Sequence, residues 1–473
     1  MGWVAIENGI VIPMTPDRQT IDGGHVLIEH DRIVAVGPGP APNRPGLQRL
    51  DAAGGVVLPG FVDTHAHAGH ALTKSLGASA SDWMGNAGRV YAGATDLDFW
   101  RAEARLSALE RLMCGVTTAC LLMGGGPDVM MTASPDAANA HLDGIASVGV
   151  AEVLAVGPNR PDGPRLYGDW TGGALRERRT DPGRQLEVTN ALLRSVPGGG
   201  LRQLAVSLPV FTAVDLSPEG EDGAAALSRA AQRVAREHGV LLVQDGHRDG
   251  SLAATDARVG LGGPDALFAH CIDLTPDDIA ALQRSGAAVA HNPSALMSVF
   301  GRCPAPELMA AGVRVGLGSD APAPDRSFDM FRHMFQAHRY HARHFADDSV
   351  LPPWTLLEMA TIGGARALRL EREIGSLEPG KRADLMVVDW RKPHLWPPAA
   401  PVERLARFAT GADVDTVLVA GRVLMRGRRV LSVDPDVVLD DAARAYAAML
   451  PRAGLGQPYE ALAAATPHGG ARL

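Results

Sequence analysis

From about residue 55 to residue 320 the chain alternates short β-branched apolar runs with capped amphipathic stretches, and nothing else in it restricts the fold so strongly. Strands separated by helical segments are joined in parallel, because a parallel neighbour needs a long crossover. Eight such runs can be counted, at 56–62, 116–122, 148–155, 201–208, 240–243, 266–269, 287–290 and 313–317. Eight parallel strands close a (β/α)8 barrel of the α/β class, whose sites lie at the C-terminal ends of the strands.

Several helices announce their ends. Thr95 with Asp98 opens one that stops before Gly115, Ser217 and Pro218 open one that runs to His238 and Gly239, and Thr275, Pro276 and Asp278 open one closed by Gly286. The two ends of the chain read instead as strands divided by turn clusters, WVAIENGIVI, GGHVLIEHDRIVAVG and GGVVLPG early, ADLMVVDW, VDTVLVAGRVL and RGRRVL late. Neither set can bury a core alone, so the two are expected to form one small β-sandwich. The expected division places the opening strands of the sandwich over 1–57, the barrel over 58–371, the returning strands of the sandwich over 372–432, and a C-terminal helix and tail over 433–473. The stretch 157–200, rich in Gly, Pro and Arg, is too long for a simple loop and reads as a lid or a disordered insertion.

With 473 residues, 46% of them hydrophobic and 21% charged, the chain can fill a large core and is not a fibrous or disordered protein. Its 45 basic and 53 acidic residues leave a net charge of −8, which disfavours nucleic-acid and anionic-membrane partners. The start lacks a signal-peptide pattern, no apolar run reaches the ~18 residues of a membrane span, and four scattered cysteines suit a reducing compartment. A cytoplasmic homo-oligomer acting on a small molecule is expected.

Chemistry concentrates at the ends of the runs. PGFVDTHAH puts His65 and His67 two apart, hence on one face of a strand. Paired imidazoles there suit a zinc-type metal, although two structural histidines would look the same. Four later runs end similarly, in VQDGH with His247, AHC with His270, AHNP with His291 and GLGSD with Asp320. That repetition favours a metal site.

On these motifs, together with FAHCIDLTPDDIAAL, AGVRVGLGSDAP, ATIGGARAL and IGSLEPGKRADLMVVD, the sequence resembles the amidohydrolase superfamily along nearly its whole length. Within it, the chain is similar to the group of triazine hydrolases, cytosine and guanine deaminases, and phenylurea and thiocarbamate hydrolases. The resemblance implies one divalent metal, zinc first, with iron, manganese or cobalt also accepted, held by His65, His67, His247, His270 and Asp320. It implies Asp320 as general base and His291 as the group that polarises the substrate. The region of strand four contains no lysine, so a carboxylated-lysine bridge between two metals is not expected.

Two departures bear on the substrate. Deaminases of this group carry HxxE after strand five, whereas here His247 is followed by Arg248, Asp249 and Gly250, with Asp249 shorter and one position early as the stand-in. Many relatives have Asn after the Ser of HNPS, where this chain has Ala295. The strand-five ligand is open between His247 and Asp245, because DGH replaces the usual HxH. The expected reaction is therefore hydrolysis of a C–N bond in a small non-peptide amide, urea or carbamate, with deamination of an N-heterocycle (purine, pyrimidine or triazine) as the alternative. His70 reads as a pocket or loop residue, the run with His333, His338, His341 and His344 as a solvated helix with a second metal site as the alternative, Trp83 and Trp170 as lid packing or the lining of an apolar pocket, and Gly124 to Gly126 as a tight turn.

Overall fold

The computed structural model describes residues 2–456 apart from 78, 126–128, 164, 197, 217–220, 296 and 324–325. Eight strands form the barrel: β1 (Phe61–His67), β2 (Val116–Leu122), β3 (Ala151–Val156), β4 (Arg202–Ser207), β5 (Leu242–Asp245), β6 (Ala266–Ala269), β7 (Ala288–His291) and β8 (Arg314–Leu317). They lie side by side in chain order, each pair parallel. The ring closes through a parallel bridge between Ala66 and Asp320, where the Asp320 amide donates to the His65 carbonyl at 2.8 Å.

The period of two divides the strand residues into two layers. Val62, Cys120, Leu122, Val153, Ala155, Ala205, Val243, Leu267, Ala269, Ala288 and Ala290 fill the barrel interior. Their neighbours Leu121, Leu154, Val206, Phe268, Val289 and Leu317 pack outward against the helices. The main helices of that outer layer are α1 (Ala80–Gly93), α2 (Leu97–Met113), α3 (Asp136–Val148), α4 (Pro182–Ser195), α5 (Ala226–His238), α6 (Ser251–Val259), α7 (Pro276–Ser285), α8 (Ala305–Ala310) and α9 (Met330–Phe345).

Local chemistry sets their ends. Thr275 and Asp278 form a reciprocal capping box on α7, and Gly286 ends it in the left-handed region at φ 69°. For α2 the cap is Asp96 and not Thr95, since the Asp96 carboxylate accepts from the Phe99 amide at 2.7 Å while Thr95 is buried. Ser217 and Pro218 lie outside the described residues, as does Gly126; Gly124 forms an antiparallel bridge with Met130. The stretch 157–200 holds an antiparallel hairpin, Leu166–Asp169 with Arg176–Arg179, followed by α4, the crossover to β4. Trp170 anchors the hairpin by donating its indole N–H to the Gly93 carbonyl at 2.8 Å.

Both chain ends meet in a separate nine-stranded sheet. Its seam is Val56–Pro59 running antiparallel to Leu385–Val388, with Val57, Leu385 and Val387 in a core of their own. A terminal helix, Pro435–Arg452, returns to the barrel, where Arg452 pairs with Asp96 at 2.6 Å. No helix among the described residues is long and apolar enough to cross a membrane.

Candidate active site

Five side chains converge at the C-terminal mouth of the barrel. His65 and His67 come from the end of β1, and Asp245 ends β5 on the inward face it shares with Val243. His270 and Asp320 lie just past β6 and β8 with φ of 67° and 59°. Non-glycine residues rarely occupy this left-handed region, and where they do the surrounding structure holds them there. The Asp245 Oδ1 lies 3.6 Å from His65 Nε2 and 3.0 Å from His270 Nε2, and its Oδ2 lies 3.5 Å from His67 Nε2. Asp320 Oδ1 is 3.7 Å from His65 Nε2 and 3.2 Å from His67 Nε2.

These spacings fit a bound cation. Tetrahedral donors at about 2.0–2.1 Å from an ion sit about 3.3–3.4 Å from one another, and the observed contacts bracket that value. The donor atoms of His65, His67 and Asp245, and those of His65, His270 and Asp320, form two overlapping groups within 4.8 Å. His65 Nε2 is buried with no hydrogen-bond partner among the described residues. Burial pushes the His65 pKa down to about 4 despite the opposing Asp245 charge, which keeps the ring in its neutral, ligating form. Burial raises the Asp245 pKa, but His65 and His270 outweigh it and hold the carboxylate ionised. Asp320 is held well below its ordinary value by the His67 hydrogen bond and by Arg326, again against burial.

Two residues expected at the site lie elsewhere. Gly246, at φ 102°, turns the chain after Asp245, so the His247 ring packs edge-on to Phe268 and its Nδ1 meets Ser251 Oγ at 2.9 Å. Asp245 occupies the strand-five place in the cluster, and His247 is in neither donor group. His291 follows the inward Ala290 and pairs in register with the outward Leu317, so its ring faces the helical layer. There its Nε2 meets His341 Nε2 of α9 at 3.1 Å. Asp249 is exposed and lies 3.6 Å from Arg248, and the third residue after Asp245 is Arg248. No glutamate therefore stands at the HxxE position on either count.

The inward position beside His291 belongs to Asn292, whose Nδ2 is 3.4 Å from His270 Nδ1. A Cβ at Gly318 would fall 2.1 Å from Asn292 Oδ1, so only glycine leaves room for that amide. Asp63, the acid of FVDTHAH, points outward and grips the barrel seam, accepting from the Ser319 amide at 2.8 Å and the His65 amide at 3.4 Å. Neither Asn292 nor Asp63 stands out in the sequence, although both sit inside the motifs that carry the ligands. His70 is buried and stacks on His67 with ring centroids 4.8 Å apart, while its Nδ1 meets the Tyr91 hydroxyl at 2.9 Å. Trp83, also buried, packs edge-on to His70. On α9, His333, His338 and His341 are buried and only His344 is exposed, so that helix is not the solvated one expected. The three lysines pair with Glu110, Glu378 and Asp389, none of them in the cluster.

The amidohydrolase family model matches residues 225–424. Over 449 residues the chain is 31% identical to a 5-methylthioadenosine/S-adenosylhomocysteine deaminase of Syntrophobacter fumaroxidans, covering 92% of this chain and 95% of that protein. The chain belongs to the amidohydrolase family. Like its relatives, this amidohydrolase is a hydrolase of carbon–nitrogen bonds other than peptide bonds. It is also 33% identical to a protein of the same name from Desulforudis audaxviator, covering 93% and 97% of the two chains. With a 5'-deoxyadenosine deaminase of Methanosarcina mazei it shares 29% identity over 96% and 99%. The amidohydrolase fold is matched by a zinc-bound adenosine deaminase from Xanthomonas campestris, with a TM-score of 0.79 and 22% identity over 94% and 98% of the chains. Atrazine chlorohydrolase from Arthrobacter aurescens, complexed with zinc, matches with a TM-score of 0.78 and 20% identity over 94% and 100%.

Proposed function

We propose that this amidohydrolase is an aminohydrolase of an N-heterocycle, with adenine nucleosides modified at the 5' position as its substrate class. The observation that carries this reading is end-to-end likeness, at about one residue in three, to proteins named as deaminases of such nucleosides. In this reading His65, His67, Asp245, His270 and Asp320 hold one divalent metal. When bound, such an ion lowers the pKa of a water toward ~7 and so supplies a nucleophile near neutral pH.

The chain's own groups do the rest. Asp320, ionised and facing His67, takes the proton of the attacking water and delivers it to the leaving nitrogen. Asn292 holds the His270 ring through its Nδ1, and Asp63 keeps the β1 and β8 ends in register so that His65 and Asp320 face each other. His70, Tyr91 and Trp83 supply an aromatic wall next to His67.

A second reading, hydrolysis of an acyclic amide, urea or carbamate, is favoured by one observation: Arg248 and Gly250 stand where deaminases carry the glutamate that protonates the ring, and Asp249 faces solvent. A substrate panel separates the two. Metal-loaded protein should release ammonia from adenosine, 5'-deoxyadenosine, 5-methylthioadenosine or S-adenosylhomocysteine and leave amides, ureas and carbamates untouched. The opposite pattern would overturn the deaminase reading in favour of the second.

A further inference from the structure

The composition of the donor set bears on which ion it holds. Three imidazoles face two carboxylates, and Asp245 turns both of its oxygens toward imidazole nitrogens, Oδ1 toward His65 and His270 and Oδ2 toward His67. The residue is fixed by parallel pairing with Ala269 at the end of β5, so its carboxylate is held in place by the barrel wall. Asp320 also lies 3.5 Å from the Arg326 guanidinium. The ion pairs of Asp245 among the described residues are with imidazoles alone. Asp245 thus directs its carboxylate into the space that the three imidazoles share.

Catalytic zinc usually takes three protein ligands and an open fourth position, whereas carboxylate oxygen suits harder ions that accept five or six donors. With Asp245 in the strand-five place, each of the two three-residue donor groups contains a carboxylate, which moves the set toward the harder ions. We propose that Asp245 biases the centre toward a hard divalent ion of the manganese(II) type, narrowing the advantage zinc has over manganese at imidazole-rich sites. This inference rests on the metal-centre reading above.

The test uses the full chain stripped by chelator dialysis and needs no substrate. Dissociation constants are measured for Zn2+ by competition with a chromophoric chelator and for Mn2+ from the paramagnetic resonance signal of the free ion. Asp245→Asn keeps the shape and removes the charge, while Asp245→His restores an imidazole. Both should raise the ratio of the Mn2+ to the Zn2+ dissociation constant by about 10- to 100-fold, the scale on which ligand changes act at metal sites. A ratio that moves by less than about threefold in Asp245→Asn, with wild-type protein binding both ions, would overturn this inference and leave the metal centre standing. Failure of wild-type protein to bind either ion would overturn both. Thermal unfolding identifies a variant that does not fold, and the near-isosteric Asp245→Asn decides the matter if Asp245→His is lost.

Discussion

Two buried clusters on this barrel are built from nearly the same residue types, and at one ring in each, His141 and His65, burial and neighbouring charge balance in opposite directions. On the outer face of β1 to β3, His141 of α3 lies between two carboxylates, with Nε2 at 2.8 Å from Glu152 and Nδ1 at 3.4 Å from Glu103. Burial opposes charge there, but Glu152 and Glu103 outweigh it and raise the His141 pKa to about 9. Nearby, Arg111 approaches Asp63 at 3.8 Å. At the mouth the ratio is inverted, with three imidazoles around one pair of acids, and burial wins at His65. One carboxylate on each side of the His141 ring makes an imidazolium that offsets one of the two acids, with Arg111 close by. At His65 burial prevails and the ring keeps its lone pair, whereas at His67 and His270 the carboxylates of Asp320 and Asp245 outweigh burial and raise the pKa.

The largest effect that could break this comparison is kinetic. Asp320→Asn should lower turnover of the substrate found in the panel by roughly 10³-fold, the scale of general-base loss, with an unfolding midpoint close to wild type; undiminished turnover would remove Asp320 from the chemistry. At the other cluster the damage should be to stability. His141→Ala leaves Glu103 and Glu152 buried without their partner and should cost on the order of 3–5 kcal/mol, read by denaturant unfolding, while metal content stays at the wild-type level.

The contrast also has a pH signature. Because the folded pKa of His141 lies above its ordinary 6.5, its stabilising contribution is complete below that pH and disappears as pH rises through about 9. The loss should be on the order of 3 kcal/mol, and comparing unfolding curves of wild type and His141→Gln across that window should show it only in the wild type. The smallest effect belongs to His247, whose Nδ1 is engaged by Ser251. His247→Gln should leave metal content within about twofold of wild type; a protein purified without metal would return His247 to the ligand set.

The barrel was legible because its evidence is periodic and repeated: eight apolar runs, with helices between them whose caps can be read from local chemistry, as with Thr275 and Gly286. His65 and His67 were legible because they end a strand, where the period of two predicts direction, and His270 and Asp320 because each belongs to a motif that closes a strand, although the turn there sets its direction. The errors share one cause. Whether a residue one or two places past a strand faces in or out depends on the turn, and Gly246 at φ 102° sends His247 away after Asp245 has faced in. A shift of one residue likewise gives the inward place to Asn292 and not to His291. In the stretch 157–200 the described residues include an ordered hairpin pinned by Trp170, a contact distant in sequence that composition does not reveal.

The closing bridge between Ala66 and Asp320 joins the first and last staves of the ring, and His65 and Asp320 flank that joint. An ion gripped from both sides would act as a rivet across it, adding RT ln(1 + [L]/Kd) to the stability of the closed form. Dissociation of the ion and parting of the staves should therefore coincide on a denaturant axis, and metal occupancy would report whether the cylinder is shut.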